Sequence, residues 1–511
     1  MGLSSLAARS GARLALTLLA AGAPLLLACS EQDAKPRSRL GPLDDPWDHG
    51  VRLPEAPQLE GDEVAGRDTL LHGNYMSCGI PWRLWTDPNL GSTFQAALGS
   101  SREPLAGRTG NNADLPYNLT AFTAADGTEV VNANCLTCHA SKFDGELILG
   151  LGDPTVDFTG GLGGGPAVSA ALLDLLGLND SEREHMEKVL RIANIIGPET
   201  VMRTVGNNPA EALAIVLSLH HDRDTLAWSD ERLMELIVRD EHGQPIADPK
   251  LTSDPPPWWR SGKKNALFYN GMARGDHRGT MAYATSICVD DVAEAKRVDG
   301  LFVDIQAFLR SLEAPKYPRG IDADLADTGR QLFRRDCAGC HGKYGADGGE
   351  DAYPNLLFPL DVIGTDPVVA NGGVIHAPEL VDWYNDSFYG TITPMVPNDP
   401  FPGYVAPPLD GVWATAPFLH NGSVPTIELV LDSTARPKYW KRVDYDSSNF
   451  DEDALGWPWL GVPYGQADAP EAERKFIYDT TQWSQSNAGH TFGDHLSFDE
   501  RRAVIEYLKT L

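Results

Sequence analysis

Between residues 298 and 312 apolar side chains return at Leu301, Ile305, Phe308, Leu309 and Leu312, a three-and-four spacing that gathers them on one face of a helix. The stretch 314–320 that follows carries Pro315 and Pro318, so it extends neither helix nor strand and predicts a linker, with a domain boundary near residue 318. A second stripe, Val504, Ile505, Tyr507, Leu508 and Leu511, closes the chain; Ser497 stands before it as an N-cap, with Asp499 and Glu500 in the first turn. Residues 326–335 read as a helix running into a Cys-rich motif. Helical spacing also marks 169–176, 181–196 and 198–219, with Ser181 and Glu184 forming a capping box. The long Pro- and Gly-rich stretch between Gly342 and Ser497 carries few strand signals. The pattern predicts a mainly helical chain with long loop insertions.

At the N-terminus Arg9 and Arg13 precede an apolar run, 14–28, that ends in Leu26-Leu27-Ala28-Cys29. The run reads as an export signal. It is broken by Gly22 and Pro24 and falls short of the ~20 apolar residues of a bilayer-crossing helix. Its end resembles a bacterial lipobox, which makes Cys29 the lipidated first residue of the mature chain; an ordinary cleaved signal is the alternative. Ser30 resembles lipoproteins sorted to the outer membrane. The expected location is the bacterial cell envelope, lipid-anchored at the outer membrane and facing the periplasm or the surface. Residues 30–66, rich in Pro, Asp and Glu, read as a flexible tether. A length of 511 residues leaves room for two or three domains, and 42% hydrophobic with 22% charged residues is ordinary globular usage. The net charge of −29 argues against nucleic acid, which is bound by clustered Lys and Arg.

Of seven cysteines, one is the lipidation candidate and four fall in two Cys-x-x-Cys-His motifs, Cys135/Cys138/His139 and Cys337/Cys340/His341. In such a motif two thiols attach haem covalently and the histidine reaches the iron. Neither motif has a second Cys-x-x-Cys pair at zinc-ligand spacing. Two covalently bound haem c groups (iron) are therefore expected. Cys78 and Cys288 remain; in an oxidising compartment they pair, and two buried thiols are the alternative.

The second axial ligand decides between electron transfer and catalysis. For the C-terminal haem the candidates are His490, favoured as a metal ligand beside His139 and His341, together with Met395 and His420. A thioether raises the potential and a second imidazole lowers it. For the N-terminal haem no Met or His stands at a standard position; Met76, His277 and Met281 remain, and an apolar lid is the alternative. The segment from Pro255 to Tyr269 concentrates aromatics and cations. Trp258 or Trp259 between the haems would relay an electron, and Phe268 would cover the distal pocket, so these three are the catalytic candidates; core packing is the competing explanation for each.

Several runs together resemble the di-haem cytochrome c peroxidase-like superfamily, and most closely its rubber oxygenase branch, over residues 67–511. They are Gly79-Ile80-Pro81, Asn134 to Ala140 with Gly145-Glu146-Leu147 and Gly150-Leu151-Gly152, Pro256 to Asn265, Arg274 to His277, Ala406 to Pro425, and Ser486 to Gly493. The resemblance implies two helical haem domains, a six-coordinate C-terminal haem with His490 as second ligand, an open N-terminal haem, and an inter-haem role for Trp258/Trp259. The chain is shorter than rubber oxygenases, so their polymer substrate is not carried over, and no clear match to the peroxidase methionine ligand appears.

The expected organisation is a signal peptide (1–29), a tether (30–66) and two tandem, enlarged cytochrome c-type haem domains (67–317 and 318–511). The expected function is that of an oxidoreductase, peroxidase-like or oxygenase-like. The N-terminal haem meets peroxide, dioxygen or an organic substrate, and the C-terminal haem relays electrons to a redox partner protein. The alternative is a pure electron carrier with both irons six-coordinate. Contact with the membrane is expected only through the lipid anchor; the oligomeric state stays open.

Overall fold

Two helix crossings, one in each half of the chain, organise the fold. The computed structural model describes residues 45–99, 102–163, 170–345 and 351–511; the signal and the lipidation candidate Cys29 lie outside them. In the first half the helix Glu63–His72, capped by Asp62 accepting from the amides of Val64 and Ala65, crosses the helix Val292–Ser311. A β-carbon on Gly66 would lie 1.9 Å from the Asp304 carbonyl oxygen, so only glycine permits this approach. In the second half the helix Ala323–Asp336 crosses the closing helix Phe498–Leu508, and a β-carbon on Gly329 would lie 1.8 Å from the Ala503 carbonyl oxygen. The closing helix has the expected N-cap Ser497, and Glu500 completes a capping box with it. Of the predicted stripe Ile305, Phe308 and Leu309 are buried and Leu301 and Leu312 half-buried, and Phe302 joins the buried face.

Between the crossings the chain departs from the helical expectation. The first Cys-x-x-Cys-His motif lies between strands: Glu129–Ala133 precedes it, paired with Leu119–Thr123 and Ile80–Pro81, and the hairpin Ala140–Phe143/Glu146–Leu149 follows. Most residues of Leu119–Thr123 are buried in succession, which erases the alternation that marks a half-buried strand. The insertion after the second motif holds short antiparallel strands as well, including Tyr439–Arg442 flanked by Trp459–Gly461 and Tyr478–Asp479. The capping box ahead of Asp180–Arg191 is Asn179 with Glu182, not Ser181 with Glu184. The helical run expected over 198–219 breaks after Gly197–Glu199 and resumes only at Ala210–His220.

Residues 45–66 are not a free tether. Pro46–His49 forms a 3-10 turn, Val51–Arg52 pairs with Leu356–Leu357, and Leu53 is 1% exposed. A few apolar side chains anchor this otherwise polar strap. Cys78 and Cys288 form a disulfide with α-carbons 5.3 Å apart.

The described residues pack as one unit. The larger core joins residues of the first half to Trp383, Tyr384, Tyr389 and Met395, and the second core, around Phe333, Trp413 and Tyr507, takes in Phe143, Leu151 and Trp259. Packing thus crosses residue 318 in both directions. Among the described residues no helix is long and apolar enough to cross a membrane.

Candidate functional site

The second motif opens onto the main cavity. Cys337 ends the helix Ala323–Asp336, and Ala338–His341 adds one more turn. Around Cys337, Cys340 and His341 the walls enclose about 1450 Å³ of atom-free space, open solvent included, with Phe333, Tyr404, His420, Leu419 and Leu508 among the lining residues. His341 donates from Nδ1 to the Pro407 carbonyl at 2.8 Å, which leaves Nε2 free.

His490 faces it. The two imidazole centres lie 6.1 Å apart, a separation that accommodates one metal ion between nitrogens at the ~2 Å of an imidazole–metal bond. Burial holds the pKa of both rings down, that of His490 to about 3 with His341 and Arg436 adding to the effect. Both are therefore neutral, the form that binds metal. His490 has a left-handed backbone, φ 46°. Arg436 secures it with five bonds to carbonyl oxygens: Nε to Leu429, Nη1 to Asn487 and Gly489, Nη2 to Val430 and His490.

The other two candidates are otherwise engaged. Met395 is in the first-half core, bridged to Ala273 and bonded to Asn385. His420 lines the cavity but stacks on Tyr404, whose hydroxyl is 3.1 Å from its Nε2.

At the first motif Asn134 caps the turn Cys135–Thr137 by accepting from the Leu136 amide. Arg102 braces it through the Thr137 carbonyl and Asp153. The Gly150 amide donates to the His139 carbonyl and the Gly150 carbonyl accepts from Trp258, which draws the Pro255–Arg260 segment across the motif. Trp258 stacks on His139 at 4.8 Å, and the Pro256 carbonyl opposes the larger effect of burial, which lowers the His139 pKa to about 4. Among the described residues the ring partner of His139 is thus an indole, not a second imidazole. Trp259 is buried and donates to the Asp410 carbonyl at 2.8 Å. Phe268 is 40% exposed with φ 65°. His277 is 0% exposed, and neither ring nitrogen has a hydrogen-bond partner.

An internal correspondence connects the two motifs, and no reading of single motifs reveals it. Pro256 stands twelve residues before Phe268, as Pro407 does before Leu419, and each run continues into Asn-Gly. Phe268 and Leu419 both have φ 65°, Leu267 bridges Ala273 as Phe418 bridges Val424, and the Gly271 and Gly422 amides donate to the Phe268 and Leu419 carbonyls. Phe268 therefore occupies, by its backbone, the place of a residue that lines the second motif's cavity.

The thiols suit covalent attachment. All four motif cysteines are free of disulfides, and burial pushes their pKa values up, Cys135 to about 11 and Cys138, Cys337 and Cys340 to about 12. Among the described residues no cluster of three or more His, Cys, Asp or Glu side chains is arranged to hold a metal ion. The donor set of two thiols and facing neutral imidazoles around an apolar cavity fits haem c.

Two proteins of Sinorhizobium fredii (strain NBRC 101917 / NGR234) are similar to this chain, both described as uncharacterized. The protein y4iJ is 30% identical over 292 residues, 45% of this chain and 46% of its own length. The protein y4iM is 27% identical over 303 residues, 50% of this chain and 64% of its own length. The matches span about half to two thirds of these relatives. Residues 403–441, which include Pro407, Leu419 and His420 from the cavity wall, match the RoxA-like, cytochrome c-like family. This match relates the chain to RoxA-like cytochromes and implies covalently bound haem c.

Proposed function

We propose that the chain is an exported di-haem c-type cytochrome acting as an oxidoreductase, built of two enlarged haem domains, 67–317 and 318–511. Haem supplies reversible one-electron chemistry and, where an axial position is free, an iron that takes a small ligand. Cys337 and Cys340 hold the second haem and Cys135 and Cys138 the first. His341 and His490 would hold the iron of the second haem from two sides, which would keep peroxide and dioxygen away and reserve that site for electron passage. His139 would hold the iron of the first haem, and Phe268 would shield the face open to the oxidant.

The observation that carries this reading is the asymmetry of the two sites: His341 faces an imidazole across a cavity, whereas the ring against His139 is that of Trp258. A continuous route between the two histidines supports electron exchange. It runs from the His139 ring to Trp258, along the chain to Trp259, through the Trp259–Asp410 hydrogen bond, and by Pro407 to His341. The Cys78–Cys288 disulfide supports an oxidising, extracytoplasmic location, reached through the signal at 1–29 and kept by lipid on Cys29.

Electron paramagnetic resonance of the oxidised protein, with and without cyanide, tests the proposal. One high-spin ferric signal that changes with cyanide, beside one low-spin signal that does not, is expected. One observation favours a second reading: His277, buried with both ring nitrogens unpartnered, is an imidazole available to cap the first iron. Two low-spin signals blind to cyanide, with the first converted to high spin by His277→Ala, would establish a pure electron carrier.

A further inference from the structure

Two arginines are buried beside the second motif's cavity without a carboxylate partner. Arg260 is 6% exposed and lines the cavity; Nε donates to the Asp410 carbonyl at 3.0 Å, and Nη2 is buried with no hydrogen-bond partner. Arg442 is 8% exposed, with its guanidinium over the rings of Trp457 at 4.6 Å and Tyr445 at 5.1 Å, and its Nη1 is likewise unpartnered. Among the described residues neither forms an ion pair. The nearby buried acid is Asp254, 8% exposed, which lines this cavity and the small adjoining one that Arg442 lines. Burial pushes its pKa well up, against the pull of both arginines. Asp410, the other acid beside Arg260, is taken by Lys263, and Lys264 adds a further cation, so positive charge exceeds negative around Arg260.

A buried guanidinium with an unsatisfied N–H is costly, and the chemistry that relieves it is a carboxylate, which Arg binds through parallel N–H donors. The cavity that Arg260 lines is the one bounded by Cys337, Cys340, His341 and His490, and haem would bring two propionate carboxylates into it.

The geometry points to Arg260 as the residue that holds a propionate of the second haem, its Nη2 donating to a carboxylate oxygen. Arg260 stands four residues after Pro256, whose carbonyl lies against the His139 ring. One short segment thus touches the proximal histidine of one site and the carboxylate edge of the other. The inference rests on attachment of haem at Cys337 and Cys340. Mass spectrometry of the haem-bearing peptide containing these cysteines tests that attachment separately.

The test uses the purified holoprotein and its Arg260→Gln and Arg260→Lys variants. Spectroelectrochemical titration of the low-spin haem gives its midpoint. Removing a buried cation beside the haem disfavours the reduced state, so Arg260→Gln is expected to lower the reduced-to-oxidised ratio about tenfold at a given potential, ~59 mV for one electron; Arg260→Lys should fall by less. Infrared redox-difference spectra recorded with haem labelled by carbon-13 at the propionates show contact directly. The labelled carboxylate bands should shift in both variants, an effect that loss of the Asp410 contact alone would not produce. Unshifted labelled bands in a haem-loaded variant would overturn the assignment and leave Nη2 to bind water or a free anion only. Should Arg260→Gln fail to accumulate, the bands of Arg260→Lys decide the question by the same criterion.

Discussion

Replacing Arg436 by lysine is expected to loosen His490 from the second site. The guanidinium satisfies five carbonyl oxygens with its Nε and two Nη atoms, three of them in the 487–490 turn that carries the ligand. An ammonium group has three donors, so at least two carbonyls lose their partner. Each unsatisfied buried acceptor costs ~1–3 kcal/mol, which sets a lower bound of ~2 kcal/mol where water does not enter. His490 is also left-handed, φ 46°, and non-glycine residues adopt that conformation at a cost of ~1–2 kcal/mol; without the clamp that strain favours release. With His490 bound to the second iron as proposed, cyanide would have to displace it. A loss of ~2 kcal/mol should therefore tighten cyanide binding there about 30-fold, at ~1.4 kcal/mol per tenfold. Optical titration of the oxidised protein with cyanide, read on the low-spin bands, measures this. Wild-type cyanide affinity in a folded, doubly haem-loaded Arg436→Lys protein would refute both the clamp and the role given to His490.

Reduction of the Cys78–Cys288 disulfide, whose partners are 210 residues apart, should lower stability by up to ~5 kcal/mol on the loop-entropy estimate; equal urea midpoints for wild type and Cys78→Ala/Cys288→Ala would contradict it. His420 has its pKa lowered to about 3 by burial, so the unfolded chain binds this proton first. Stability is present above pH ~6.5 and declines as pH falls toward 3, by up to ~1.4 kcal/mol per unit. His420→Gln should be flatter between pH 7 and 5, by ~2 kcal/mol, in denaturant titrations at the two pH values. Gly329→Ala should destabilise by at least ~1–3 kcal/mol, because its β-carbon meets the Ala503 carbonyl oxygen at 1.8 Å; an unchanged thermal midpoint would show that the helices separate freely.

What was legible in the sequence was what is local. The two Cys-x-x-Cys-His motifs, the stripe on Val292–Ser311 and the Ser497 N-cap need no knowledge of distant residues. His490 was reachable from the residues as one of three candidates, and the resemblance singled it out. Its clamp Arg436 lies 54 residues away and bonds only to backbone, which leaves no side-chain pairing to read. The strands around the first motif escaped because Leu119–Thr123 is buried almost throughout and does not alternate. The strap at 45–66 looked like a tether because Trp47 and Leu53 are isolated among polar residues, and isolated anchors give no periodicity. The correspondence of Pro256–Gly271 with Pro407–Gly422 was hidden because its shared residues are mostly Pro, Asn and Gly, which dictate backbone shape, while the side chains between them differ.

The strap has a consequence for the order in which the molecule is made. The ring of Trp47 lies on Gly339, where a β-carbon would come within 2.3 Å of the indole, and so covers the residue between the second pair of thiols. Trp47 leaves the ribosome almost three hundred residues before Gly339 and waits for its seat until the second motif has been made. Once seated, it blocks that face of the motif to any attachment enzyme. With haem attached at Cys337 and Cys340 as proposed, loading would come before the strap closes. Residues 45–53 would then be among the last parts to settle, and their docking would mark molecules whose maturation is complete.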